Sequence, residues 1–124
     1  MDSPLSIKKS LSVFRAQTPG VQAIALADLS TGTVLVSESA IPMGQEEFDA
    51  LARRAGRLLA GAADGEVGML AYEADPSASR LFMRNENEID DALILVVNGT
   101  GKDPRDLAAL GSAIFTALAG GDPT

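Results

Sequence analysis

Apolar residues recur with a helical period in three segments of this chain, and residues that begin helices precede two of them. Ser3-Pro4 precedes the first segment as an N-cap followed by proline at the first helical position, and Asp103-Pro104 repeats this signal before the third. The apolar positions are Ile7, Leu11 and Phe14 in the first segment, Phe48, Leu51, Ala52, Ala55, Leu58 and Leu59 in the second, and Leu107, Leu110, Ile114 and Leu118 in the third. The pattern predicts three helices.

Five shorter apolar segments predict strands, at residues 21–29, 33–37, 67–73, 80–84 and 93–97. Ser30-Thr31-Gly32 is a turn signal that joins the first two into a hairpin. Residues 23–27 are almost continuously apolar, which predicts a strand covered on both faces, and the still more apolar residues 93–97 predict the centre of the sheet. The order α-β-β-α-β-β-β-α therefore predicts a mixed α/β chain of the α+β class, with one five-stranded, mainly antiparallel sheet sandwiched by helices.

The length of the chain indicates how many domains it forms, and its charge restricts the kinds of molecule it can bind. A chain of 124 residues has the length of one domain, and we expect a single domain spanning residues 1–124. Its net charge of −7 repels phosphate groups and anionic lipids, so we expect neither nucleic acid nor a membrane as a partner. Met1-Asp2-Ser3-Pro4 does not have the pattern of a signal peptide, and the apolar runs are too short to span a membrane, so we expect a cytoplasmic protein.

The chain contains no histidine and no cysteine, so it lacks the usual general base at neutral pH, thiolate nucleophiles and the commonest zinc ligands. Lys8, Lys9 and Lys102 are the only lysines that could assist a nucleophile. We therefore expect no catalytic residues, no cofactor and no metal. The protein is expected to act by contact and not as an enzyme.

Two motifs resemble ligand sites but have simpler interpretations. Gly99-Thr100-Gly101-Lys102-Asp103 lacks the earlier glycine of a phosphate-binding loop, where Val96 stands, and Asp103 would repel phosphate. It predicts a loop between a strand and a helix. The acidic run of Glu86, Glu88, Asp90 and Asp91 does not have the spacing of a calcium loop and predicts a solvated hairpin loop, which remains a docking surface for a basic partner. Arg84 precedes this run and is a candidate for a local ion pair.

Residues 21–37, VQAIALADLSTGTVLVS, resemble the first hairpin of the roadblock/LC7 family of dynein light chains and small-GTPase regulators. The family's hairpin likewise has a small-residue strand, an acidic turn with glycine and a returning strand. The strand at residues 92–97 and the capped final helix also occupy the expected places. The resemblance covers nearly all of the chain as a pattern of elements, and it implies a profilin-like arrangement of helices around a sheet.

The resemblance implies a non-enzymatic homodimer in which the second helix and third strand pair across a two-fold axis. The interface residues it implies are Phe48, Leu51, Ala52, Ala55, Leu59, Val67, Met69, Leu70 and Tyr72. Some family members bind dynein intermediate chains, and bacterial and archaeal members often act on Ras-like GTPases. The function implied here is a binding platform that regulates or scaffolds a Ras-like small GTPase.

The residues themselves also favour a dimer. The segment 67–72 is apolar and has neither proline nor lysine, and an exposed edge strand of this kind aggregates unless something covers it. A two-fold partner strand would cover it. The small residues Ala52 and Ala55 permit close approach of a second helix, or they let the helix pack tightly on its own sheet.

Arg53, Arg54 and Arg57 form the only dense basic cluster. They are either a solvated helix face that complements the acids before them or a surface for a partner. With Glu86 and Glu88 they form the candidate partner surface. Two other functions remain open: a small-ligand sensor of the profilin-like or PAS-like class, and a structural subunit of a larger complex.

Overall fold

A computed structural model of the chain describes residues 4–60, 68–99 and 103–119. The elements are α1 (Pro4–Gln17), β1 (Val21–Asp28), β2 (Thr33–Ser39), α2 (Gln45–Leu58), β3 (Leu70–Ala74), β4 (Ala78–Arg84), β5 (Asp91–Asn98) and α3 (Pro104–Ala119). All neighbouring strands pair antiparallel, in the spatial order β2-β1-β5-β4-β3. The predicted α+β fold is confirmed, and β5 lies at the centre of the sheet as its apolar sequence indicates.

Alternating side chains give the two faces of the sheet different cores. The α2 face of β1 and β5 presents mainly small residues, among them Ala23, Ala25, Ala27 and Ala92. The opposite face presents larger ones, among them Ile24, Leu93 and Leu95, which pack with side chains of α1 and α3. Because interiors are close-packed, small side chains on the sheet let α2 approach it closely.

The start of α3 confirms the predicted cap. The Arg105 backbone N–H donates to Asp103 Oδ1 at 2.9 Å, and the helix begins at Pro104. Hydrogen bonds from the Arg105 guanidinium, and then from its backbone N–H, lower the pKa of Asp103. α1 begins at Pro4 as predicted, whereas its cap, Ser3, lies outside the described residues.

The third strand begins later than predicted, at Leu70 rather than at Val67, and Val67 lies outside the described residues. Gly68 is held by the end of α2 instead, since its N–H donates to Leu59 O at 2.7 Å. A Cβ at this position would lie 2.9 Å from the same oxygen. Glycine is therefore needed where the chain passes the end of α2.

Candidate interaction surface at the open edge of the sheet

β3 forms one edge of the sheet, and hydrogen bonds at its two ends show which backbone groups point outward. The Arg84 N–H donates to Met69 O at 2.8 Å, and the Asp75 N–H donates to Ala78 O at 2.9 Å. Because alternate residues of an antiparallel strand point to the same side, residues 71 and 73 face β4, and residues 70, 72 and 74 point outward. Within the described chain, no side chain is hydrogen-bonded to the backbone of residue 70 or 74. We call this side of β3 the open edge.

The opposite edge of the sheet, on β2, is covered by side chains from two helices. The Val34 N–H donates to Asp49 Oδ1 at 2.9 Å, and Gln45 Nε2 donates to Val34 O at 3.2 Å. Lys8 Nζ donates to Ser37 O at 2.6 Å. The Val34 bond, followed by the one from Gln45, lowers the pKa of Asp49. Side chains that occupy edge backbone groups prevent the addition of another strand, so β2 is protected where β3 is open.

Apolar side chains lie beside the open edge on both faces of the sheet. On the α2 face, Leu51 lines a depression with Glu73, and Leu58 lies two turns further along the same side of the helix with 37% of its surface exposed. On the other face Leu70 is 48% exposed, and Met69 just before the strand is 38% exposed. A chain that paired with β3 would remove apolar surface from water on both sides.

Charged side chains fix α2 against β3 and β4. The Arg54 guanidinium donates to both oxygens of Glu73, with Nη2 at 2.7 Å from Oε2, and these bonds raise the pKa of Arg54. Arg80 Nη1 lies 3.7 Å from Glu73 Oε1, and Arg80 Nη2 lies 2.8 Å from Asp75 Oδ2. The pKa of Asp75 is lowered mainly by the Ser77 backbone N–H and hydroxyl, then by the Ala78 N–H and Arg80. These ion pairs link α2 to β3, and β3 to β4, beside the open edge.

The structure corrects the predicted interface on α2. Four of the implied interface residues, Phe48, Ala52, Ala55 and Leu59, are at most 4% exposed because they pack on the protein's own sheet. These four residues present no surface to a partner. The small residues Ala52 and Ala55 are therefore explained by tight packing of the helix on its own sheet. Leu51, Met69, Leu70 and Tyr72 retain exposed surface. Leu58, which the predicted interface does not include, is also exposed, and its spacing from Leu51 places both on one side of the helix.

The three arginines of α2 occupy different sides of the helix. Arg54 turns toward β3 and pairs with Glu73. Arg53 lies on the β2 flank, where its Cγ is 3.1 Å from the position of a Cβ on Gly32. Arg57 is exposed and borders, with Arg54, the depression beside the open edge. Arg53 and Arg57 therefore keep their guanidinium groups at the surface.

The predicted acidic residues lie apart from these arginines. Glu86 and Glu88 are exposed in the loop that joins β4 to β5, and Glu86 borders a groove beside α3. The hairpin loop predicted here is confirmed. The candidate partner surface thus divides into a basic part on α2 and an acidic part on this loop.

Arg84 lies beneath this loop and does not form the local ion pair considered from the sequence. Its side chain is buried, and its guanidinium donates to three backbone carbonyls: Leu59 O at 2.9 Å, Gly68 O at 2.8 Å and Ile89 O. These carbonyls come from the end of α2, the approach to β3 and the β4–β5 loop. A cation suits the negative end of α2, and one side chain joins three segments that lie far apart in the sequence.

Acidic side chains crowd the start of β5, where Asp91 lies opposite Asp28. Burial raises the pKa of Asp91 most, and the charges of Glu88, Asp28 and Asp90 raise it further. The folded protein therefore holds this proton more tightly than the unfolded chain, so the ionised carboxylate lowers stability at neutral pH. This loss disappears as the pH falls through the raised pKa and below the ordinary value.

Asp91→Asn is expected to raise the melting temperature by about 2 °C at about pH 7 and to leave it unchanged at about pH 3. Thermal unfolding at both pH values measures the effect. Glu47→Gln removes one charge from an exposed position on α2 and is the control for net charge. A higher melting temperature of Asp91→Asn at the lower pH as well, or an equal rise in the control, would contradict the conclusion that the charge of Asp91 lowers stability.

Metal sites and membrane spans can be assessed for residues 4–60, 68–99 and 103–119. These residues contain no group of three metal-ligating side chains placed to hold an ion. None of their helices combines the length and apolar character needed to cross a membrane.

The fold is similar to that of several solved structures. A roadblock/LC7 domain from Streptomyces avermitilis aligns with a TM-score of 0.70 at 16% identity, over 91% of this chain and 94% of the other. The gliding protein MglB from Thermus thermophilus aligns with a TM-score of 0.71 at 20% identity, over 96% and 90% of the two chains. An MglB with a tetrameric arrangement gives the same TM-score, identity and coverage.

No protein-family model and no curated protein matches the sequence, so the similarity lies in the three-dimensional structure. The matched structures cover nearly the whole chain and share its order of elements. The resemblance found in the sequence is thus confirmed at the level of the fold. This chain has the roadblock/LC7 fold.

Proposed function

We propose that the protein is a non-enzymatic homodimer of a single roadblock/LC7-like domain, and that the dimer binds a Ras-like small GTPase as a regulator or scaffold. The observation that carries the proposal is the open edge of β3, which has apolar surface on both sides while the β2 edge is covered. The fold adds support, because the family it resembles forms dimers through this strand and the second helix.

The proposed dimer pairs the open edges of two protomers about a two-fold axis at Tyr72. Leu70 of one protomer then lies opposite Ala74 of the other, and the two sheets become one. The α2 helices meet over this seam through Leu51 and Leu58, which takes their apolar surface out of water. The tetrameric arrangement of the similar MglB supports self-association of this fold.

The proposed GTPase surface is the exposed basic part of α2. Arg53 and Arg57 are exposed and form no close salt bridge within the described residues, although the charge of Arg53 acts on Asp49 one turn before it, whereas Arg54 is held by Glu73. Arginine is enriched at binding hot spots, since its planar fork can pair with a carboxylate on a partner. In the dimer these arginines lie on the helices that cover the seam, so one partner can contact both protomers.

The double variant Arg53→Glu/Arg57→Glu is expected to weaken binding of the GTPase at least about 10-fold, because two guanidinium contacts become repulsive. Ras-like GTPases of the native cell, purified and loaded with GTPγS or GDP, are titrated against the protein. Binding in one nucleotide state only is the expected result for the unaltered protein.

Lys9→Glu is the matched control, because Lys9 is exposed on α1 on the other face of the sheet. It is expected to bind as the unaltered protein does. Binding that ignores the nucleotide would favour a structural subunit, and no binding to any of these GTPases would contradict the proposal.

A further inference from the structure

A groove lies on the face of the sheet opposite α2, away from the proposed GTPase surface, and its lining includes Met69 and Leu70 beside the open edge. α3 packs on β4 and β5, so the sheet beside it stays open toward β3. The groove has a volume of about 580 Å³. Met69, Leu70, Met83 and Phe115 form its apolar floor. Ser112 and Thr116 of α3 form one wall, and Glu86 lies in the other.

The floor is suited to apolar side chains from a partner. Leu70 is 48% exposed and Met69 is 38% exposed, although both are large apolar residues. A groove of this volume falls within the range of ligand pockets, which hold a few large side chains. Methionine adapts its shape to irregular partners, and two of the four floor residues are methionines.

The charge of the groove selects the chemistry of the partner. Arg84 also borders the groove, but its guanidinium is turned inward to the carbonyls of Leu59, Gly68 and Ile89. Glu86 is therefore the only lining charge that is exposed, and Glu88 and Asp90 are exposed further along the same loop. The rim is acidic and complements a basic partner.

We infer that this groove binds an amphipathic, basic segment of a partner protein, with apolar side chains on the floor and a lysine or arginine beside Glu86. All lining residues belong to one protomer. The groove is therefore complete without the proposed dimer, and it lies on the other face of the sheet from Arg53 and Arg57. A failure of this inference leaves the proposed function intact, and the reverse also holds.

The test uses a synthetic amphipathic peptide of about 14 residues, with leucines on one helical face and lysines on the other. Its binding to the full chain is measured by fluorescence anisotropy at low and high salt. Ser112→Arg places a long side chain at the wall of the groove and is expected to weaken binding about 10-fold. Ala113→Arg, at the next exposed position of α3, does not border the groove and is expected to bind normally.

The charge is tested separately. Glu86→Gln is expected to lower the affinity about 3-fold and to reduce its dependence on salt, whereas Glu88→Gln in the same loop should change the affinity less. The same peptide with glutamates in place of lysines should bind at least about 10-fold more weakly.

Three results would overturn the inference. They are the absence of saturable binding at about 1 mM peptide, equal weakening by Ser112→Arg and Ala113→Arg, and equal affinity for the two peptides. A change in solution mass caused by Ser112→Arg but not by Ala113→Arg would also overturn it, because a second copy of the chain would then occupy the groove.

Discussion

Arg84→Met is expected to lower the free energy of unfolding by about 3 kcal/mol, the largest effect on stability that we predict for a single polar side chain. The guanidinium donates to carbonyls of Leu59, Gly68 and Ile89, and the side chain is only 8% exposed. Methionine has a similar length but donates to none of them. Three carbonyl groups would then lose a charge-assisted partner in a buried site, and the end of α2 would lose its cation.

Urea-induced unfolding at fixed protein concentration measures this change. Arg80→Met is the matched control, because Arg80 is in the same strand but forms ion pairs at the surface, and its loss should cost about 1 kcal/mol or less. Arg84→Lys keeps the charge but not the fork of donors, so it should fall between the two. Equal losses for Arg84→Met and Arg80→Met would show that Arg84 does not join the three segments.

Ala74→Pro is expected to weaken the proposed dimer about 100-fold. The Ala74 N–H points away from β4, so proline leaves the ladder within the protomer intact but removes a donor from the open edge. Two-fold symmetry doubles the loss. Two hydrogen bonds of about 1–1.5 kcal/mol each give about 2–3 kcal/mol, which corresponds to roughly 30- to 150-fold in the dissociation constant.

Sedimentation equilibrium over a range of concentrations measures the dimer, and the melting temperature confirms that the variant folds. Ala74→Val is the control, since it retains the N–H and suits a strand. A monomeric unaltered protein would remove the dimer from the proposal, and an unchanged dissociation constant in Ala74→Pro would place the seam elsewhere. Proline at Gly68 cannot serve this purpose, because it would remove the bond to Leu59 O and clash with that oxygen.

Much of the fold follows from the sequence because it depends on local periodicity. The repeating apolar positions indicate the helices, the cap-then-proline signals before Pro4 and Pro104 mark two helix starts, and the continuous apolar strand at 93–97 predicts its central place. These features rest on the geometry of one segment at a time. The order of the segments then restricts the sheet to few arrangements.

The candidate site depended more on tertiary structure. On α2 the same apolar stripe contains Leu51 and Leu58, beside the open edge, and Ala52 and Leu59, which are buried. Adjacent side chains on a helix point in directions that differ by about 100°. Which of them a partner can contact therefore depends on how the helix packs on the sheet. The interface implied by the family resemblance therefore included residues that the folded protomer buries.

The sequence by itself determined the order of helices and strands, the two-sided burial of the central strands and the absence of histidine and cysteine chemistry. Tertiary structure alone decided that helix side chains cover β2 while, within the described chain, none bonds to the backbone of residue 70 or 74 of β3, and that Arg84 donates to three carbonyls rather than to a nearby acid. The physical reason is the range of the interactions. Periodicity and caps act within one segment, whereas edge protection and a buried cation depend on groups that only the folded chain brings together.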